Sequence, residues 1–255
     1  MPIPLAGNPT DWQHGDFVSA DSILSHAKGA FLPFFTTMDA TVLRALCREF
    51  KEAVTEHKWR DEDTKIKSRV GSWRVCFPAA EAANVSGEHN RNGKVTNKDF
   101  LHFVGLKSLN MSLCDKVTDA AFVHLKGIHT LNMSDCNQPT ITDAVFVHLK
   151  GIHELDMSWC NQDTITDAVF VHLNGIHTLY MSGCDQPTIT DAAFVHLKGI
   201  HTLNMSECKQ PTITDAAFVH LKGIHTLYML KSNQPTITDA ALVAFGSIRR
   251  SLASI

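Results

Sequence analysis

A 24-residue pattern of apolar and polar positions repeats along the C-terminal two thirds of the chain. Each repeat contains a nine-residue stretch, such as 128–136, with apolar or small residues at its positions 1, 4, 6 and 9. Leu131 and Met133 alternate with polar neighbours, as in a strand that buries one face. The dipeptide Thr-Asp marks the repeats, with its aspartates at Asp119, Asp143, Asp167, Asp191, Asp215 and Asp239. The pattern therefore predicts a series of equivalent short strands.

The second half of each repeat predicts a return helix. Thr142 is suited to cap such a helix, Asp143 favours its N-terminus, and Gly151 suits its end. Phe146 and Leu149 are three residues apart, so they face the same side. One repeat cannot bury its apolar side alone, whereas stacked repeats bury it against their neighbours. We expect an α/β solenoid with a concave parallel sheet and convex helices.

Cysteine closes the strand motif at its ninth position and is followed by Ile-Thr-Asp and a helix. This combination is similar to the cysteine-containing class of leucine-rich repeats, whose period is about 20–29 residues. The resemblance covers residues 95–255 and implies a leucine-rich-repeat horseshoe. We also expect a degenerate capping strand within 80–87 and a C-terminal cap from about residue 237.

The N-terminal part of the chain follows a different pattern. Residues 1–15 are interpreted as a tail, 16–62 as a helical segment and 63–94 as a linker with the capping strand. Asp39 to Lys58 has the apolar spacing of an amphipathic helix. Phe-Leu-Pro followed by Leu-Cys-Arg-Glu-Phe resembles the F-box, the module that docks Skp-type adaptors of cullin ubiquitin ligases. The resemblance implies adaptor contacts at Leu32, Pro33, Leu43, Leu46, Cys47 and Phe50. The alternative role for these helices is to cap the solenoid.

Charge and hydropathy exclude some partners. The formal net charge is −3, from 23 basic and 26 acidic residues, so no positive field favours nucleic acid. Residues 1–9 lack the features of a secretory signal, and no run of about 18 apolar residues predicts a membrane span. We expect a soluble cytoplasmic protein, with a nuclear location also open, that is not secreted.

Histidine and cysteine form columns at the same 24-residue period. The two histidine columns are His124, His148, His172, His196, His220 and His129, His153, His177, His201, His225. The first column is expected to point to solvent on the convex side. The second lies on adjacent strands about 4.8 Å apart, so two of its histidines sharing a metal ion remains an open alternative. Duplication explains both columns without a ligand, and the cysteines, from Cys136 to Cys208, are predicted to pack in the core. We expect no metal and no cofactor.

No motif for catalysis is present. The sequence lacks a glycine-rich phosphate loop, a His-Glu-x-x-His motif and a nucleophile elbow. The Thr-Asp aspartates are explained by helix capping. We therefore expect a protein that is not an enzyme.

Two strand positions vary inside otherwise nearly identical repeats. The fifth and eighth positions are predicted to lie on or at the rim of the concave face, where solenoids bind partners. Aromatic residues there suit interface anchors, and acidic ones add a charged edge. The predicted contacts, with one third-position residue added, are Asn132, Asp135, Glu154, Asp156, Trp159, Tyr180, Asn204, Glu207, Tyr228 and Lys231. The alternative is drift at exposed positions that nothing constrains.

These observations predict a scaffold that binds a protein substrate on its concave face. The F-box resemblance implies a substrate-recognition subunit of an SCF-type, cullin-RING ubiquitin ligase. The alternative is a stand-alone leucine-rich-repeat interaction module.

Overall fold

The computed structural model describes residues 32, 36–37, 40–41, 48–66, 69–87, 94–232, 234–238 and 241. Within these residues, seven short strands form one parallel sheet in sequence order. They are β1 (Ala82–Asn84), β2 (Ser108–Asn110), β3 (Thr130–Asn132), β4 (Glu154–Asp156), β5 (Thr178–Tyr180), β6 (Thr202–Asn204) and β7 (Thr226–Tyr228). The strand expected within 80–87 is the first strand of this sheet.

The strand register keeps equivalent residues side by side. Leu131 pairs with Leu155, 24 residues later, and Leu109 pairs with Leu131, only 22 residues later. The loop after Cys114 is two residues shorter than its counterpart after Cys136. It changes the length of this connection without shifting the register. Each column in the sequence becomes a row of side chains across the sheet.

The convex side consists of short turns rather than long helices. Three 3₁₀ helices span Asn97–Phe103, Asp143–Leu149 and Asp167–Leu173. Three single α-turns, Asp119–Phe122, Asp191–Phe194 and Asp215–Phe218, continue as 3₁₀ turns at Val123–Leu125, Val195–Leu197 and Val219–Leu221. Among the described repeats that carry Thr-Asp, the two without an α-turn have Val145 or Val169 where the other three have alanine, and β-branched side chains lower helix propensity.

Apolar columns from both sides fill the space between the sheet and these turns. Leu155 of β4, Met157 just after β4 and Phe146 of the convex turn are all fully buried in one core. The same columns recur in the neighbouring repeats, so the core is continuous along the stack. This burial is the main favourable term for a chain whose single repeats have no closed core.

The Thr-Asp pairs join neighbouring repeats. Asp167 accepts two hydrogen bonds from Thr190 of the next repeat, one from its backbone N–H and one from its hydroxyl, each at 2.7 Å. The same two bonds link Asp119 to Thr142, Asp143 to Thr166, Asp191 to Thr214 and Asp215 to Thr238. The aspartates lie in the first turn, as expected, but capping does not account for their hydrogen bonds. In the four repeats capped by Thr142, Thr166, Thr190 and Thr214, the threonine makes the cap bond, while the aspartate bonds to the next repeat.

Buried cysteines and glutamines also bond across repeats. The Cys184 thiol donates to the Met157 carbonyl at 3.2 Å, and Ser232, which replaces cysteine in the last repeat, makes the equivalent bond to Met205. Burial raises the pKa of Cys208 to about 12, so its thiol stays protonated. Gln186 donates to the Cys160 carbonyl at 3.0 Å, a role that its place in a predicted turn did not reveal.

The N-terminal segment has a small core of its own. Helix α1 spans Arg48–Glu56 and ends before the predicted Lys58, and helix α2 spans Val70–Cys76 inside the predicted linker. The cluster comprises Leu32, Ala40, Ala53, Val54, Trp59, Phe77 and Ala80. Trp73 of α2 packs against both this cluster and the repeat core. The two cores are therefore continuous through one side chain.

This segment also covers the outer edge of β1. The Trp59 carbonyl accepts hydrogen bonds from Glu81 and Ala82, and the Ile66 N–H donates to the Asn84 carbonyl at 2.7 Å. An uncovered edge strand would offer its backbone groups to other chains. Most of the predicted C-terminal cap lies outside the described residues. None of the described helices is both long and apolar enough to span a membrane.

The histidine columns differ in exposure and packing. His148 is half-buried, whereas Val147 beside it is 51% exposed. In a 3₁₀ turn, each is displaced by about 120° from the inward Phe146, so histidine does not point directly to solvent. His129, His153, His177, His201 and His225 form an exposed stack with 4.5 Å between adjacent ring centroids.

The stacked imidazole rings are not oriented to share a metal ion. Neighbouring rings are nearly parallel, with interplanar angles of 11–27°, so their in-plane lone pairs do not converge on one ion. In the described part of the chain, no group of three or more His, Cys, Asp or Glu residues could hold a metal ion.

The histidine stack predicts a loss of stability in mild acid. Partial desolvation by the stacked neighbouring rings, and then repulsion from His177 and His225, lowers the pKa of His201. The unfolded chain therefore binds protons more readily, and stability should decrease as the pH falls below the unfolded-state pKa of about 6.5. Guanidinium unfolding on both sides of that pH checks this. An H177Q/H201Q variant should lose less stability than the wild type, and equal losses would contradict the explanation.

Candidate functional site

The sheet has one face toward the core and one open face. In β4, Leu155 points inward, while Glu154 and Asp156 lie on the open face. The register places one row of fifth-position residues across this face: Asn132, Asp156, Tyr180, Asn204 and Tyr228. A parallel row of third-position residues comprises Thr130, Glu154, Thr178, Thr202 and Thr226. Six of the ten predicted contacts therefore belong to one surface.

The other four predicted contacts lie in the turn that follows each strand. Asp135, Trp159, Glu207 and Lys231 have φ values between 55° and 61°, in the left-handed region that favours glycine. Gly183 is the eighth-position residue that meets this requirement without strain. Folding alone therefore does not select a tryptophan at position 159.

Trp159 and Gly183 fit each other. A Cβ atom added to Gly183 would lie 2.5–2.7 Å from the Cε3, Cζ3 and Cδ2 atoms of the Trp159 ring. Three ring atoms at similar distances indicate that the face of the indole covers the glycine. Trp159 nevertheless remains 42% exposed. The sequence signal for this pair was glycine directly after tryptophan in the eighth-position column.

Fifth-position asparagine and aspartate residues also have a structural role. Asn132, Asp156 and Asn204 each accept a hydrogen bond, at 2.9–3.0 Å, from the serine N–H two residues later. This Asx turn ends the strand. A tyrosine side chain cannot make this bond, so Tyr180 and Tyr228 each forgo a bond worth about 0.5–1.5 kcal/mol.

Negative charge is concentrated around β4. Among the described residues, no ion pair involves Glu154 or Asp156, whereas Glu207 contacts Lys231 at 3.6 Å. Burial, then the charges of Glu154, Tyr228 and Asp156, raises the pKa of Tyr180. We call Glu154, Asp156, Trp159 and Tyr180 the acidic-aromatic patch.

A surface pocket on the rim is small. Its volume of about 250 Å³ is below the roughly 300–1,000 Å³ of small-molecule sites. It is lined by Leu113, Asp115, Asp135, Asn137, Gln138 and Pro139. The extended open face is therefore the better candidate site.

The predicted adaptor contacts lie in the N-terminal segment, which precedes the repeats in the sequence. Leu32 is 3% exposed and packs within the N-terminal cluster. The positions of Pro33, Leu43, Leu46 and Cys47, and the side chain of Phe50, lie outside the described residues.

Solved structures resemble this fold at low sequence identity. A chain from the TLR13–ssRNA13 complex matches with a TM-score of 0.55 and 19% identity, over 67% of this chain and 25% of that chain. A chain from the Rad7 and Elc1 complex in yeast matches with a TM-score of 0.51 and 12% identity, over 81% of this chain and 62% of that chain. The predicted leucine-rich-repeat solenoid is confirmed. Neither a family model nor a curated protein matches the sequence.

A double-mutant cycle tests the fit between Trp159 and Gly183. G183A adds a methyl group that meets the indole ring, whereas in a W159D background the space is open. The strain of an alanine at the positive φ of position 183 is the same in both backgrounds, so it cancels when the two effects of G183A are subtracted. We expect G183A to cost at least about 1 kcal/mol more unfolding free energy in the wild type. Denaturant unfolding of the four proteins measures this difference, and additive effects would contradict the contact.

Proposed function

We propose that this chain is a protein-interaction scaffold whose partner binds on the open face, centred on the acidic-aromatic patch. The observation that carries the proposal is the Trp159 ring, exposed and seated on Gly183. Large aromatic side chains held in place by their surroundings are typical anchors of protein interfaces.

The departures from the repeat support recognition over drift. Glu154 replaces the threonine found at the third position of the other four strands from β3 to β7. Tyr180, like Tyr228, loses an Asx bond, and Trp159, like Asp135 and Lys231, occupies a left-handed position. What sets Glu154, Trp159 and Tyr180 apart is that they lie together, on two neighbouring strands or the turn between them. Recognition of a partner accounts for this grouping, whereas unconstrained drift does not require it.

We also propose that the chain is not an enzyme and serves as the substrate-recognition subunit of a cullin-RING, SCF-type ubiquitin ligase. The F-box resemblance and the cysteine-type repeats support this role. Fold similarity to a chain from the Rad7–Elc1 complex is compatible with assembly into a multiprotein complex. Continuity of the two cores through Trp73 would hold a substrate at a fixed position relative to an adaptor.

A stand-alone interaction module is the second candidate. The hydrogen bonds from the N-terminal segment to Glu81, Ala82 and Asn84 favour it, because they give that segment a sufficient role as an edge cap. In this case the open face would bind its partner without any adaptor.

Co-expression with a Skp-type adaptor separates the two candidates. The full chain should co-elute with the adaptor in a stable complex, and an L43D/L46D variant should not, because charge is placed at two predicted contacts. A W159D/Y180N variant, which restores residues of neighbouring repeats, should retain the adaptor and controls for indirect effects. Thermal melting must show that all three proteins are folded. Absence of a complex with the full chain would contradict the ligase role.

A further inference from the structure

We infer that the partner segment bound at the acidic-aromatic patch is an extended basic peptide that places an arginine side chain there. This inference rests on the proposed function of the open face as a protein-binding site. It adds the chemical class of the partner, which neither the fold nor the repeat pattern specifies.

The two carboxylates of β4 are available to a cation. Glu154 and Asp156 are two residues apart on one strand, so they project from the same face about 7 Å from each other. Asp156 uses Oδ1 for the Ser158 N–H, while no described hydrogen bond occupies its Oδ2 atom or the Glu154 carboxylate. Their threonine neighbours in the third-position row, Thr130 and Thr178, are uncharged. The negative charge is therefore not cancelled locally.

Aromatic surface adjoins these carboxylates. Tyr180 is the register partner of Asp156 on the adjacent strand, about 4.8 Å away. Trp159 follows Asp156 by three residues and keeps part of its ring exposed. Carboxylates beside aromatic rings form a setting in which a cation gains charge-assisted hydrogen bonds and cation–π contact together.

Arginine fits this setting better than lysine. Its planar guanidinium can pair with a carboxylate through two hydrogen bonds and stack on a ring at the same time, whereas lysine acts as a point charge. An acidic peptide or a nucleic acid would be repelled by the same carboxylates. The cation at the far end of the face, Lys231, is already in contact with Glu207.

Selection of displayed random peptides on the full-length chain tests the inference. Peptides enriched on the wild type should contain arginine, and binding should weaken as salt is raised. An E154T/D156N variant should bind the enriched peptide at least about tenfold more weakly. Both substitutions restore residues of neighbouring repeats, so the fold should be unaffected. A matched E62Q/D63N variant loses two exposed negative charges outside the open face and should change affinity by less than about twofold.

The outcomes separate this inference from the proposed function. Enriched peptides without a basic residue, or equal losses in the two variants, would overturn the inference and leave a protein-binding face. Enrichment of acidic peptides would overturn it in the same way. No enrichment on the wild type would contradict the proposed binding face itself, and the inference with it.

Discussion

The solenoid depends on hydrogen bonds that only a neighbouring repeat can complete. An aspartate at the start of one convex turn holds both the backbone N–H and the hydroxyl of the threonine that caps the next turn, as in Asp167 with Thr190. Inside the core, cysteine thiols and glutamine amides also donate hydrogen bonds to carbonyls of the preceding repeat. A buried polar group left without a partner there would lower the stability of the fold. These contacts form together only when strands are in register. Stacking therefore requires the bonding residues to recur in register, whether the connection spans 24 residues or 22.

The need for neighbouring repeats to stack helps to interpret the variable positions. Residues that stack are copied from repeat to repeat, so a departure is informative when it also opposes local preference. Tyr228 of β7 also gives up an Asx bond, but Glu154, Trp159 and Tyr180 are the departures that lie close together around β4 and β5. Asn132 and Asn204 belong to the same predicted set, yet their Asx bonds give them a sufficient structural role. The candidate site is accordingly narrower than the set of variable positions.

Much of this architecture could be predicted because its signals are local. The alternation of Leu131 and Met133 specifies a half-buried strand, and a fixed period specifies parallel stacking. The role of the aspartates could not be predicted in this way, since each bond joins residues 23 positions apart. The left-handed turn at the eighth position was also missed, because Trp159 and Lys231 occupy it as well as glycine. The contact between Trp159 and Gly183 is established only by the three-dimensional structure.

Hydrogen exchange at the Thr190 amide tests the central claim, that bonds between repeats hold the solenoid, most directly. D167A removes both carboxylate oxygens that accept from Thr190. D167N keeps one oxygen that can accept from the Thr190 N–H and gains an amide that can donate to its hydroxyl. Asn97 makes these two bonds with Thr118 in the first repeat. We predict that D167A lowers stability by about 1.5–3 kcal/mol and exposes the Thr190 amide to rapid exchange. D167N should retain most of the protection. Equal protection in D167A and the wild type would contradict the account.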